Sequence, residues 1–427
     1  MNKFILPEHL QHSLTINTKA LLQWLFLSVI VGVVVGAAGC LFFVCLGYVT
    51  SLRLSHPWLL YLLPIAGLLI VLLYNRCGME DDKGTETVIA SVRSGALLRL
   101  WMAPLIFLTT ILTHLTGGSA GREGAALQLG GSISAYIGRI LKLDDRDQRI
   151  MIMCGMATGF SALFGTPLAA AIFAMEVENV GVMYYAAFVP CLLGALTARQ
   201  MAAMWGIMPA HFNVLGIPDA PTPANTVSLI ALGILCGILA NLFCRLLEFC
   251  KHMYQSHIKN PNYRILTGAF IVIALTLLLG TRDYNGAGIH VIVKAIQGTT
   301  DTWAFFFKML FTALTLTAGF KGGEIVPSFF VGATFGCMFG PYIGLSPSFA
   351  AAVGLVCVFC GVTNAPMTSI LLSYELFGGQ GLVMMSMAIA ISFTTSGYHS
   401  LFHQQKIAYS KIKPEYINVF SDSNTEE

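Results

Sequence analysis

Two glycine-rich turns in this chain each carry a carboxylate into sequence that is apolar on both sides: Gly117-Gly118-Ser119-Ala120-Gly121-Arg122-Glu123-Gly124 and Gly322-Gly323-Glu324-Ile325-Val326-Pro327. An ionisable group inside a bilayer is costly to keep and reads as part of an ion or proton pathway. Glycines beside it let backbone N–H groups approach an anion. A helix that begins inside the membrane aims its unpaired N–H groups and the positive end of its dipole at the same point. Four segments fit such a site: Lys83-Gly84-Thr85, Gly121-Arg122-Glu123-Gly124, 322–327 and 398–402. A carboxylate such as Glu123 can occupy the anion seat itself, leave when protonated, and so exchange a proton for an incoming anion. Glu324 is the candidate second carboxylate, at the place equivalent to Glu123 in a second turn. The plainer alternative is a structural Arg122–Glu123 salt bridge capping a helix; adjacent residues on a helix point apart, which favours the pathway reading.

The elements that must hold these turns are membrane helices. Of 427 residues, 56% are hydrophobic and 11% charged, against about 25% charged in soluble domains, so the expected fold class is an all-α polytopic membrane protein with the lipid bilayer as its solvent. Apolar runs recur at 21–48, 58–74, 97–115, 150–175, 184–204, 227–247, 265–279, 304–318, 326–343, 349–360 and 382–402. Several fall short of the ~20 residues of a full span, which predicts re-entrant or broken helices. The polar segment 1–20 precedes a run too long for a signal-peptide core of ~7–15 residues, so that run is expected to remain as the first membrane helix. The net charge of +3 is spread over loops, without the basic, aromatic-interleaved face of a nucleic-acid binder, and no nucleic-acid partner is expected. The eleven cysteines lie mostly in apolar runs and read as small hydrophobes. Cys357 and Cys360 form an isolated CxxC for which packing is the better reading than metal or redox chemistry. No cofactor is expected.

Comparing the chain with itself reveals a repeat. Thr116 to Glu123 and Thr317 to Glu324 both span seven positions through glycines, and each leads into an apolar stretch reaching Gly130 or Gly332. Phe164-Gly165-Thr166-Pro167 lies nine residues before Glu176, counting from Pro167, and Thr363-Asn364-Ala365-Pro366 lies nine before Glu375, counting from Pro366. The expected organisation is a polar segment 1–20, a first membrane repeat 21–208, a linker 209–225 containing Pro218, Pro221 and Pro223, a second repeat 226–402 and a short polar tail 403–427. Substrate sites of repeated transporters form near the midplane, at the repeat interface, from broken helix ends.

Taken in order, Gly121-Arg122-Glu123-Gly124, the Phe-x-x-Pro-Leu-Ala run ending at Glu176, Gly323-Glu324-Ile325-Val326-Pro327 and Asn364-Ala365-Pro366 resemble the hallmark segments of the CLC chloride channel and transporter family, over roughly 21–402. The resemblance implies two inverted-topology repeats, Glu123 as gating glutamate, and a homodimer whose subunits each hold an anion pathway. The departures point to a branch. Chloride-handling members carry Gly-Ser-Gly-Ile-Pro where this chain has Asp82-Lys83-Gly84-Thr85-Glu86, without the serine or the proline. Alignment of the last helix places Phe402 at the family's tyrosine, with Tyr398 as an off-register candidate. Val177 stands where exchangers have an internal proton-transfer glutamate, and Glu178 is one position too far along. Gly322-Gly323-Glu324 resembles the bacterial fluoride-exporting branch, which implies fluoride or another halide exchanged for protons across the bacterial plasma (inner) membrane.

A small, strongly hydrated anion needs close donors, which a Gly-rich backbone and the Thr85 hydroxyl supply. The candidate anion-binding residues are Gly84, Thr85, Gly121, Arg122, Gly124, Gly323, Ile325, Val326, Tyr398 and Phe402. Lys83 reads equally as a source of positive potential at a vestibule and as a solvated loop charge. Two alternatives keep the same fold, a chloride/proton exchanger and a passive anion channel. A third belongs to another class: Gly117-Gly118-Ser119-Ala120-Gly121 fits the GxSxG of serine hydrolases, with His114 nearby, but its flanks read as membrane helix. The tail is too short for a regulatory domain, and no nucleotide-sensing module is expected.

Overall fold

The structure, a computed structural model, describes residues 8–95 and 98–421. Its first half runs α1 (Glu8–Ser55), α2 (Leu63–Arg76), α3 (Thr85–Ser94), α4 (Met102–Leu115), α5 (Glu123–Ile140), α6 (Asp145–Phe164), α7 (Pro167–Glu176), the short strand β1 (Asn179–Val180) and α8 (Phe188–Met204). The second runs α9 (Pro223–His257), α10 (Pro261–Leu279), α11 (Ile289–Ile296), α12 (Ala304–Ala318), α13 (Ile325–Phe339), α14 (Pro347–Thr363), α15 (Pro366–Phe377) and α16 (Leu382–Thr395), followed by β2 (Lys406–Tyr409) and β3 (Tyr416–Phe420). Six helices among the described residues are long and apolar enough to cross a membrane, and five more are apolar but only 10–17 residues long.

The short helices arise where local chemistry stops a helix. The apolar run 150–175 breaks because Gly165 adopts φ 71° at the end of α6, a left-handed conformation that glycine takes without steric cost. Pro167 then opens α7 at a position where its missing N–H is no loss. The run beginning at 97 has its first residue outside the described set, and its helix starts at Met102.

Duplication is visible in packing as well as in order. Helices α5 and α6 cross where a Cβ on Gly130 would run into the Gly155 carbonyl, and α13 and α14 cross where one on Gly332 would run into the Gly354 carbonyl. Small residues at such crossings let backbones pack closely where lipid supplies no hydrophobic drive. Helices α7 and α15 cap each other. Glu176, at the end of α7, accepts from Met367 N–H (3.0 Å), Thr368 N–H (2.8 Å) and Thr368 Oγ1 (2.6 Å) at the start of α15. Glu375, near the end of α15, accepts from Leu168 N–H and Ala169 N–H (both 2.9 Å) at the start of α7.

Three boundaries differ from the sequence reading. Residues 8–20 of the expected polar segment continue into α1, while 1–7 lie outside the described residues. The linker ends at Thr222, whose Oγ1 accepts the Asn225 N–H (3.2 Å) as an N-cap, so α9 begins inside the expected linker. The tail is more than a polar extension, although 422–427 fall outside the described residues. Strand β2 pairs parallel with β1 and antiparallel with β3. Gln405 Nε2 donates to the carbonyls of Val177 (2.9 Å) and Thr363 (2.8 Å), tying together the ends of α7 and α14. Lys411 Nζ reaches Asn364 Oδ1, Ser396 Oγ and the carbonyls of Phe393 and Gly397. The sequence gives little warning of this sheet because β1 has two residues and β2 four.

Candidate functional site

The two glycine-rich turns meet head to head. Gly121 and Gly323 form an isolated antiparallel bridge, Gly121 N–H donating to Gly323 O (2.6 Å) and Gly323 N–H to Gly121 O (2.9 Å). Only glycine fits here: a Cβ on Gly121 would lie 2.9 Å from Gly323 O, and one on Gly323 would lie 2.6 Å from Gly124 N. The bridge brings the N-termini of α5 and α13 together at the repeat interface. It also corrects the internal alignment. Arg122 and Glu324 are the N-cap residues of the two helices, while Glu123 and Ile325 are their first helical residues. Glu324 therefore answers to Arg122 and not to Glu123, one position from the equivalence that threonine spacing gives.

Glu123 is fully buried. Its Oε2 accepts the Arg122 N–H (3.0 Å) and its Oε1 lies 3.4 Å from Arg122 Nε. The carboxylate thus folds back over the start of its own helix, where an anion is favoured. Arg122 stacks over the Phe43 ring at 4.7 Å. The adjacent pair meets because Arg122 has φ −119° at the N-cap, so helical spacing does not separate the two side chains. The salt bridge and the placement of the carboxylate at the helix start are one arrangement.

A cavity of about 460 Å³ leads from the surface toward this junction, reaching Gly84, Thr85, Gln128, Gly322, Glu324 and Phe402. Gly84, with φ 68°, turns the chain into α3 and leaves Thr85 buried. Thr85 Oγ1 donates to Gly124 O (3.3 Å) and accepts from Gln128 Nε2 (3.2 Å), which places a hydroxyl beside the Glu123 turn. Glu324 is half-buried on the cavity wall, whereas Glu123 lies beyond the cavity lining. Ile325 and Val326 are buried in the first turn of α13. Lys83 is exposed at the rim of the same cavity.

The two aromatic candidates part company. Helix α16 ends at Thr395, Gly397 turns the chain at φ 70°, and the segment re-enters through a Leu401 N–H bond to Val362 O (2.9 Å). Phe402 reaches the cavity, edge-on to Phe173 at 6.4 Å. Tyr398 does not: its hydroxyl pairs with Ser410 Oγ (2.8 Å) in the tail, and it is withdrawn as an anion ligand.

The model of the voltage gated chloride channel family matches residues 66–397. The chain belongs to this family, the CLC proteins. It is 33% identical over 418 residues to the chloride/fluoride channel protein of Pseudomonas syringae pv. tomato, spanning 96% of this chain and 91% of that one. It is 26% identical over 391 residues to an H(+)/Cl(-) exchange transporter of Vibrio vulnificus, spanning 84% and 83%. Among solved structures, a CLC-type fluoride/proton antiporter superposes with a TM-score of 0.87 at 32% identity, covering 91% of this chain and 98% of that one. A slow cyanobacterial Cl-/H+ antiporter shares the fold with a TM-score of 0.74 at 19% identity, covering 87% and 94%. The expected CLC fold of inverted repeats with broken helices stands.

In this CLC chain the hydrolase alternative fails on geometry. Ser119 is fully buried, its Oγ held by Lys308 Nζ (3.0 Å) and Thr312 Oγ1 (3.1 Å), while His114 Nε2 lies 3.3 Å from Gly121 O. Lys308, itself fully buried, also donates to the carbonyls of Tyr284 (3.1 Å) and Gly286 (2.6 Å), pinning the first glycine turn to the second repeat. Sequence reasoning missed it, although a lone lysine in the apolar run 304–318 was a usable signal. Gln128 was also missed; its role depends on facing Thr85 across the fold. Val177 is buried with its carbonyl on Gln405, and the Glu178 carbonyl joins the sheet through the Lys406 N–H (3.1 Å).

Proposed function

We propose that this chain is a proton-coupled anion antiporter that exports fluoride in exchange for protons, with Glu123 as the gate. One observation carries the reading: the Glu123 carboxylate sits where two helix N-termini converge, beyond a polar vestibule. Charged, it fills the anion seat; protonated, it loses its attraction to the helix start and to Arg122, and yields the seat to an anion. Entry of the anion into the seat and departure of the protonated carboxylate from it then links each proton to the cycle. Fluoride is favoured because the Thr85 hydroxyl, which can turn from Gly124 O to an anion, lies beside the N–H groups that open α5 and α13, and Phe402 brings no hydroxyl. The names of the Pseudomonas relative and of the fluoride/proton antiporter structure support the same substrate. Glu324, on the vestibule wall, is the second proton carrier in place of a carboxylate at Val177. The seat comprises Gly84, Thr85, Gly121, Arg122, Gly124, Gly323, Ile325 and Val326, with Phe402 as its aromatic wall. The protein works as a homodimer in the bacterial inner membrane, a placement supported by its bacterial relatives.

Reconstituted vesicles test this. Under a proton gradient alone, wild type drives fluoride uphill and moves chloride far more slowly, and Glu123→Gln loses proton coupling while eluting as folded protein. Equal fluoride and chloride fluxes sink the substrate assignment. Downhill flux without proton movement establishes the passive channel instead.

A further inference from the structure

A row of four titratable side chains runs from the partly exposed surface to the vestibule, whose lining includes its last two members, His403 and Glu86. His399 Nδ1 lies 3.7 Å from Glu248 Oε2, His403 Nδ1 lies 3.8 Å from Glu248 Oε1, and His403 Nε2 lies 3.8 Å from Glu86 Oε1. The row joins the halves of the fold, because Glu86 belongs to α3, Glu248 to α9 and both histidines to the segment that re-enters after α16. The outer pair is the more exposed, His399 at 25% and Glu248 at 34%, against 18% at His403 and 14% at Glu86. Its inner end meets the site: Glu86 follows Thr85 in sequence, and Glu86 and His403 line the same cavity as Glu324.

We propose that His403 and Glu86 pass protons between solution and Glu324, with Glu248 and His399 collecting them at the more exposed end of the row. The inference rests on the reading of this chain as a proton-coupled antiporter. An imidazole flanked by two carboxylates is suited to the step, since it takes a proton at one ring nitrogen and releases another from the opposite one. A proton from Glu248 enters at Nδ1, the Nε2 proton passes to Glu86 Oε1, and Glu86 releases it into the cavity that Glu324 lines. Before the next proton the ring exchanges its nitrogen-bound proton with water or turns over, which restores the starting tautomer. Each 3.7–3.8 Å link becomes a hydrogen bond with about 1 Å of side-chain movement.

Charged groups of both signs face the row. Lys251 of α9, Arg264 of α10 and Lys321 line the same cavity and draw an anion toward the seat. The loop itself brings Glu80, Asp81, Asp82 and Lys83 to the rim, an acidic border that concentrates cations, hydronium included.

The test measures fluoride efflux and proton uptake together in vesicles containing wild type, His403→Gln, His403→Ala or Glu86→Gln. Each variant is expected to slow proton uptake about 100-fold in weakly buffered medium, the low end of what a placed acid–base group contributes. The loss grows as pH rises and free protons become scarce. Added imidazole should restore His403→Ala, which a structural role for the side chain does not permit. Wild-type rates in His403→Gln and Glu86→Gln, or a slowed His403→Ala that imidazole leaves slow, overturn the relay. Failure of the antiport reading looks different, because wild type itself then moves no protons with fluoride.

Discussion

Gly323→Ala offers a direct test of the clasp between the repeats. The added Cβ would lie 2.6 Å from Gly124 N, 3.1 Å from Gly124 Cα and 3.4 Å from Glu123 N. All three are backbone atoms of the Glu123 turn, so no side chain can rotate away. Relieving the shortest contact to an ordinary separation moves that turn by ~0.8 Å or more. The Gly121–Gly323 bonds, now 2.6 and 2.9 Å, then stretch past useful geometry. Two buried backbone pairs left unsatisfied cost about 1–3 kcal/mol each, so the local penalty is about 2–6 kcal/mol. A displacement near 1 Å at a reacting group can cost roughly 100-fold in rate, and Glu123 sits on the displaced turn. The expected outcome is a fluoride turnover down by about that factor, with a lowered melting temperature in detergent. Gly47→Ala is the control, since nothing lies within 4 Å of its added Cβ. If Gly323→Ala transports within threefold of wild type and melts with it, the clasp does not position the gate.

Glu324→Gln should slow proton-coupled fluoride flux by roughly tenfold or more while leaving folding within about 1 kcal/mol, because the N-cap backbone keeps its conformation. Unchanged coupling would leave Glu324 only its place at the helix start. Glu176→Gln should destabilise the fold by about 1–3 kcal/mol through loss of charge-assisted bonds to α15, read as a lower melting temperature, with a smaller loss for the half-buried Glu375→Gln. Equal melting of Glu176→Gln and wild type would refute the mutual-capping account.

Chemistry confined to short stretches was legible in the sequence. Charge within glycine turns marked Glu123 and Glu324, and the short apolar runs pointed to broken helices, although the break at Gly165 and Pro167 inside 150–175 went unread. Repeat spacing exposed the Glu176/Glu375 pair, though not that each carboxylate caps the other half's helix. Contacts across the fold were not legible. Gln128 meets Thr85 over 43 positions, Lys308 meets Ser119 over 189, and Gln405 meets Val177 over 228. Counting from threonines put Glu324 one place out of register because the loops before the two bridged glycines differ in length. Tyr398 failed as a ligand for a related reason: where the chain re-enters after α16 depends on Val362, far back in the sequence.

The mutual capping of α7 and α15 has a consequence for how the chain reaches its fold. The first turn of α7 needs Glu375, about 200 residues later, so in hydrocarbon its leading N–H groups stay without protein partners until the second half is in place. Neither half can finish its own helix. Helix start touches partner carboxylate, and partner helix start touches carboxylate in return, which is the contact rule of a two-fold dimer interface. A pair of half-length chains could make the same exchange, and here the exchange has been taken inside one polypeptide.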